Sequence, residues 1–588
     1  MRDKLARSSQ GFAGGEMQYD LVIKNGSVID GSGAPAVQAD VGVRDGKIAM
    51  IGRIREDGTE TIDAEGHVVS PGFIDGHTHM DAQVFWDKLG SCSCYHGVTS
   101  VVMGNCGFTL APAREEEAEL VFRNLERAED ISPESMRAGI KWSWETYPDY
   151  LDTLDALPKG INYAGYIGHS ALRTYVMGER AFTEQATEDE LAAMAHNVQE
   201  AVRAGAIGFS TSRIHTLYSD KLVASAIADW SEVRTIVNAM SETGAGVFEM
   251  AGEQTYRDPV LKDDYFGRQL QLAVESGVPY TWGLISGPGE PQDWRTYLRL
   301  LDDVAAAGGN MFAQVHSRSL NLLQSFESRT PFDGWDHWRE VRALPIEEQK
   351  IKLRDPAIRA KLVDIATNPG GKMFPNAWGS VSPARPPNWN RLLIMDTVEG
   401  EHRSFADVAA ERGVKPVELL IDLALEHDLK LIWRSSTANE NDDHVLKMMR
   451  HPHTVVTFSD SGAHVGMIMD SSLQTHVFSH WVRKKQELTL EEAVRMLTYE
   501  PATRWGLHDR GLLRMGLAAD ILVFDPKTIG ANMPTVEHDL PAGEMRLKQT
   551  GRGIAATIVN GQVLLRDNEH TGAQPGQVLR GPLAQVAQ

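Results

Sequence analysis

Two histidines one residue apart, His77 and His79, close the segment GFIDGHTH. On an extended strand, residues i and i+2 share a face, so both imidazoles would converge at the strand's C-terminal end. Neutral imidazole is a good ligand for zinc and similar ions, and two at this spacing can chelate one ion. The plain alternative is two ordinary histidines in a polar loop; the apolar strand and Asp-Gly step before them argue against it. Further on, GVTSVVMGNCG sets Cys106 in a glycine-bounded turn directly after an apolar strand. A free cysteine is more often a small buried hydrophobe, and it is the histidine pair that tips Cys106 towards ligation. In TVVTFSDSGAH, Asp460 ends the last strong apolar strand, where a carboxylate could reach a metal-bound water; capping a turn is the commoner role. Cys92 and Cys94 precede the Cys106 strand and are assigned to packing.

These residues need a scaffold that brings strand ends together. Between residues 70 and 510, short apolar runs alternate with amphipathic helical stretches, the pattern of a parallel α/β fold. Nine segments read as strands: PGFIDGHTH, GVTSVVMGNCG, INYAGYIGHS, AGAIGFSTS, AGVFEMAGE, VPYTWGLIS, MFAQVHSRS, LKLIWRSS and TVVTFSDSG. A barrel needs eight, so one is surplus, and the pattern does not say which. EDELAAMAHNVQEAVRAG and TLEEAVRMLTYEPATRWG read as helices. A stretch rich in Pro, Trp and charge at 320–390 reads as an insertion near the top of the barrel. Residues 17–69 and 511–588 carry short strands punctuated by Asn-Gly and Asp-Gly turns, predicting one small β domain built from both ends of the chain. Residues 1–16 have no apolar run and read as a disordered tail rather than a signal peptide.

Bulk properties narrow the partners. The chain has 588 residues and a formal net charge of -22, which argues against nucleic acid or an anionic membrane surface. No run of about 18 apolar residues suggests a membrane span. Three cysteines give no disulfide framework, so a reducing, cytoplasmic setting is expected. Length and composition leave a homo-oligomer open.

Taken together, GFIDGHTH, GVTSVVMGNCG, YIGHSALR, GAIGFSTS and FSDSGAHV resemble the amidohydrolase superfamily, in its N-acyl-D-amino-acid deacylase (D-aminoacylase) branch. EPATRWGLHDRGLLRMGLAADILVFD is similar to that superfamily's return into its β domain, and the resemblance runs from Tyr19 onward. It implies a distorted TIM (β/α)8 barrel with active-site residues at the strands' C-terminal ends, plus a small β-sandwich domain built from both termini. It also implies metal ligands at His77, His79, Cys106 and Asp460, and zinc as the cofactor, with another divalent transition metal also compatible.

Two departures qualify the resemblance. Where the family carries a histidine after the fifth strand, this chain reads Phe248, Glu249, Met250, Ala251; where it carries a Ser-His pair on the sixth, this chain has Gly283 and Leu284 in TWGLISG. Glu249 can ligate zinc and leucine cannot, which favours one ion over two. His316 in MFAQVHSRS is a second candidate for the missing imidazole. His169 in YIGHSALR and Arg213 in STSRIH are candidates for binding a substrate carbonyl or carboxylate; His464 and Arg434 are weaker ones. The expected chemistry is metal-assisted hydrolysis of an amide in a small molecule, with Asp460 carrying the proton. Hydrolysis of a peptide or cyclic amide, or a barrel whose catalysis has decayed, are the alternatives. No Gly-x-Ser-x-Gly elbow competes for the role.

Overall fold

The computed structural model describes residues 19–217, 221–253, 259–287, 294–368, 373–375, 381–383 and 387–585. The tail expected over residues 1–16 lies outside the described residues. Eight strands form one parallel sheet in the middle of the chain: Phe73–Asp75, Val98–Met103, Asn162–Gly168, Gly208–Arg213, Val247–Glu253, Tyr280–Leu284, Met311–Val315 and Thr454–Val456. Each pairs with the next in sequence order, all in parallel. The sheet curls so that its first and last strands meet. A parallel bridge joins Thr78 to Ser461, the His79 N–H donates to the Ser461 carbonyl at 2.7 Å, and the Asp460 N–H donates to the His77 carbonyl at 3.2 Å. Below them the Gly76 N–H donates to Thr457 Oγ1 at 2.5 Å, whose hydroxyl donates to Asp75 Oδ1 at 2.9 Å. This is a distorted barrel closed by a short seam.

Helices cover the outside, and local chemistry sets their ends. Glu188–Ala204 starts at a capping box between Thr187 and Glu190, stops at Gly205 and buries Met194, Val198, Ala201 and Val202 as one stripe. The helical stretch after Thr489 is broken into Leu490–Leu497 and Tyr499–Arg504. Pro501 explains the break, because its ring would clash with the carbonyl four residues back and it has no N–H to give.

The surplus ninth strand is LKLIWRSS. Ile432–Ala438 leaves the barrel and forms the centre of a three-stranded sheet, antiparallel to both Leu320–Gln324 and Leu392–Met395. Five helices pack with it around a separate core that includes Phe332, Trp338, Leu362, Leu420 and Trp433. The insertion therefore runs from Leu320 to Ala438, not 320–390 as its composition suggested, because its central strand comes last in the chain.

Both ends of the chain build a second sheet. Leu21–Val28, Val37–Arg44, Lys47–Gly52, Glu60–Asp63 and Val68–Pro71 join Ile521–Phe524, Ile554–Val559, Gln562–Arg566 and Glu569–His570. The junction is antiparallel pairing of Val68–Pro71 with Ile521–Phe524. Hydrogen bonding joins all nine strands into the small β domain expected from both termini, around a core that includes Ile23, Val41, Ile521 and Ile558. Leu21–Val28 is long enough for its first half to pair with Glu60–Asp63 and its second with Val68–Pro71. The last residues then return to the barrel: Leu579 N–H donates to the Tyr163 carbonyl at 2.7 Å. Among the described residues, no helix is long and apolar enough to cross a membrane.

Candidate metal centre

The seam fixes the first components. His77 and His79 follow the first barrel strand, 1% and 2% exposed. Thr78 between them points the other way and donates to the Val102 carbonyl at 2.8 Å. Cys106 follows the second strand in the turn Asn105–Gly107, with a left-handed φ of 58° that non-glycine residues seldom adopt. Two contacts hold that turn. Asn105 Nδ2 donates to the carbonyls of Thr78 and Val102 at 3.1 and 3.0 Å, and the Cys106 N–H donates to Glu249 Oε2 at 2.7 Å. Asp460 is also left-handed, φ 51°. At the tight turn after it stands Gly462, φ +98°, where a Cβ would lie 2.4 Å from the His79 carbonyl oxygen.

The outcome is a convergence. Ligand atoms of His77, His79 and Cys106 all lie within 4.8 Å of one another, with Cys106 Sγ 3.5 Å from His77 Nε2. Asp460 Oδ1 is 3.2 Å from His77 Nε2 and 3.6 Å from His79 Nε2. Glu249, at the fifth strand, touches this group through the Cys106 backbone, and its Oε1 is buried with no hydrogen-bond partner. The donor set suits a divalent ion. Gln314 donates from Nε2 to Thr281 Oγ1 at 3.2 Å, so its Oε1, 2.6 Å from His77 Nδ1, accepts. With Nδ1 donating to Gln314, His77 directs its Nε2 at Cys106 and Asp460, the orientation that a metal-bound imidazole takes.

Electrostatics point the same way. Burial drives the His79 imidazole down to about 4, only partly offset by Asp460. Burial would lower His77 too, but Asp460 and Glu249 raise it. Burial and the acids Glu249, Glu129 and Asp460 push the Cys106 thiol well above its usual range. Burial lifts Glu249 to about 7 against the pull of His77. Although burial opposes ionisation of Asp460, its bonds to the two histidines hold it well below the carboxylate range.

The remaining expected residues separate. His316 ends the seventh strand, fully buried; its Nδ1 accepts from the Arg318 N–H at 3.1 Å, and its Nε2 is buried without a partner. It falls outside the His77–His79–Cys106 group. The His464 N–H donates to the Glu129 carbonyl at 2.7 Å. Arg434 belongs to the insertion sheet, donating to His402 Nδ1 and Asn321 Oδ1 at 2.9 Å each. It lines a cavity of about 230 Å³ that none of the clustered residues reaches. Arg213 is paired with Glu253, Nε to Oε2 3.0 Å, and Arg268 shares that carboxylate.

His169 corrects an expectation. It is fully buried, with Nδ1 2.8 Å from Thr211 Oγ1 and Nε2 2.8 Å from Glu232 Oε1. Both nitrogens are taken within the protein, so it offers nothing to a substrate. Burial would raise Glu232, but His169 and Arg173 hold it down to about 2. The triad His169–Glu232–Arg173 is structural, and breaking a buried pair strands a charge. Arg173→Ala is expected to cost about 3–5 kcal/mol in a denaturant titration; a loss under about 1 kcal/mol would mean that the triad is not closed.

The sixth strand supplies no ligand, and the structure gives a steric reason. The Phe458 ring packs edge-on against His77 with centroids 4.5 Å apart. It lies so close to Gly283 that a Cβ there would be 2.8 Å from it. An aromatic ring thus occupies the space next to His77 on that side. Glu129 and Gln314 are the residues at the site that the sequence reading missed.

Comparisons with known proteins agree with this architecture. A model of the amidohydrolase family matches residues 60–565. An uncharacterized protein of Mycobacterium tuberculosis is 29% identical, over 94% of this chain and 93% of its own length. The D-aminoacylase of Alcaligenes xylosoxydans xylosoxydans is 28% identical, over 95% of this chain and 97% of its own length. The crystal structure of an N-acyl-D-glutamate deacylase from Bordetella bronchiseptica, complexed with zinc and a phosphonate inhibitor, superposes with a TM-score of 0.64. It is 24% identical and covers 96% of this chain and 100% of that one.

Proposed function

Since the chain belongs to the amidohydrolase family, we propose that it hydrolyses the amide bond of N-acyl-D-amino acids at a centre holding one divalent ion, zinc by preference. The observation that carries this reading is the convergence of His77, His79 and Cys106 within 4.8 Å, with Asp460 against both imidazoles. The enzyme is a metal-dependent hydrolase acting on carbon–nitrogen bonds. Its D-amino-acid preference rests on relatives named D-aminoacylase and N-acyl-D-aspartate deacylase, both 28% identical to this chain.

His77, His79 and Cys106 would hold the ion, with Asp460 beside it and Glu249 as a further ligand. A bound divalent ion polarises the scissile carbonyl and lowers the pKa of water from 15.7 to about 7. Asp460 takes the proton of the attacking water and passes it to the departing amine, so one carboxylate serves both halves of the reaction. Gln314 keeps the His77 proton on Nδ1. Glu249 holds the strained Cys106 turn through its backbone N–H. One ion is favoured because the sixth strand, Tyr280–Leu284, offers no ligating side chain at its Gly283 and Leu284 end and the Phe458 ring lies against Gly283.

The test is a substrate panel of N-acyl-D-amino acids, N-acyl-L-amino acids, dipeptides and cyclic amides, run on metal-replete protein with metal content measured alongside. Turnover of the N-acyl-D compounds, lost on chelation, is expected. Turnover confined to substrates lacking a free carboxylate would sink the D-amino-acid assignment. Less than one equivalent of metal and indifference to chelator would remove the hydrolase reading altogether.

A further inference from the structure

Glu129 is a buried acid with no part in the proton transfers assigned to Asp460. It sits just past the helix Ala118–Ala128, its N–H donating to the Leu125 carbonyl at 3.0 Å, and its own carbonyl accepts the His464 N–H at 2.7 Å. That second bond ties it to the turn carrying Asp460. The residue is 3% exposed. Its Oε2 lies 3.4 Å from His79 Nε2, and its Oε1 is buried with no hydrogen-bond partner. Among the described residues no lysine or arginine pairs with it; His79 is its ionic neighbour.

Without a cation, this arrangement is satisfied only while a proton stays among its acids. His79 Nε2 faces two carboxylate oxygens, Glu129 Oε2 at 3.4 Å and Asp460 Oδ1 at 3.6 Å. One imidazole nitrogen carries at most one proton, so it cannot serve both acids. A buried carboxylate without donors or a counter-charge is costly. A divalent cation held at that nitrogen would face the imidazole and both acids at once, and it needs less room than a water molecule. Carboxylate oxygen is a good ligand for zinc beside imidazole and thiolate.

We propose that Glu129 is a further ligand of the divalent ion held by His77, His79 and Cys106, supplying a carboxylate to a centre whose fifth and sixth strands carry no histidine. This rests on the metal-centre reading above. The centre would then draw a side chain from a helix end as well as from strand ends.

The experiment uses the full-length protein, stripped and reloaded with Zn2+ or Co2+, with affinity read by competition against a chelating dye. Glu129→Gln keeps the shape and removes the charge; it is expected to weaken binding by at least about tenfold and to shift the visible d–d bands of the Co2+ form. Glu129→Asp, which draws the carboxylate back, should weaken binding too, by a smaller factor. Near-UV circular dichroism identifies the folded variants. Wild-type affinity together with an unshifted Co2+ spectrum in either folded variant would overturn the proposal. Wild-type protein that binds neither ion would instead overturn the metal centre itself, and Glu129's role with it.

Discussion

Asp460→Asn is expected to lower turnover by roughly 10²- to 10⁴-fold, the usual contribution of a positioned general acid–base group. The substitution is unusually clean here. Asp460 adopts a left-handed φ of 51°, a conformation that asparagine tolerates well. Its backbone is held independently of the side chain, by its N–H on the His77 carbonyl at 3.2 Å and by the Ala463 N–H on its own carbonyl at 2.9 Å. The amide retains an oxygen near His77 and His79 but cannot accept a proton. Steady-state kinetics and metal content measured on one preparation decide the matter. A rate loss under about tenfold with the ion retained would move the proton transfer to another acid of the cluster.

The second large effect is on metal affinity, which should rise with pH. In the protein without a cation, burial and the acids around it keep the Cys106 thiol protonated at neutral pH. Burial lifts Glu249 to about 7 and, with Asp460, Asp81 and Glu249 nearby, carries Glu129 well above the carboxylate range. Ligation requires thiolate and carboxylate, so binding must expel protons. The sign follows from linkage: the metal-free state holds more protons, so raising the pH favours the bound state. Each proton released contributes about tenfold per pH unit, or about a hundredfold between pH 6 and pH 8. Calorimetry in buffers of different ionisation enthalpy counts these protons directly. The slope should fall in Cys106→Ser, and a pH-independent affinity in the wild type would contradict the thiolate assignment.

What the sequence made legible was whatever is encoded locally. An apolar strand followed by His-x-His, a strand followed by Gly-Asn-Cys-Gly and a strand followed by Asp460 each announce a strand end, and strand ends are where a barrel gathers its chemistry. Glu129 carries no such mark. It stands in the charged run NLERAED, where an acid normally faces water, and only packing of a helix end against the Asp460 turn buries it. Ile432–Ala438 shows the converse. Its apolar run looks like any buried strand, and only its antiparallel partners place it in the insertion. His169 misled because a histidine at a strand end reads the same whether its nitrogens face the mouth or a buried glutamate. Phe458 and Gly283 are far apart in sequence, so nothing local tells that one fills the space left beside the other.

The seam between the first and last barrel strands has a consequence for how the protein is made. The bond from Gly76 to Thr457 spans 381 residues of chain, with His77, His79 and Cys106 near its start and Asp460 just past its end. An emerging polypeptide presents His77, His79 and Cys106 long before Asp460 exists to meet them, and contacts of such separation form late because loop closure must come first. A nascent chain therefore presents His77, His79 and Cys106 through most of its synthesis, and an ion bound to them and to Asp460 would also fasten the ring. Metal supply during translation would then set how much closed barrel accumulates, separately from its effect on turnover by the finished enzyme.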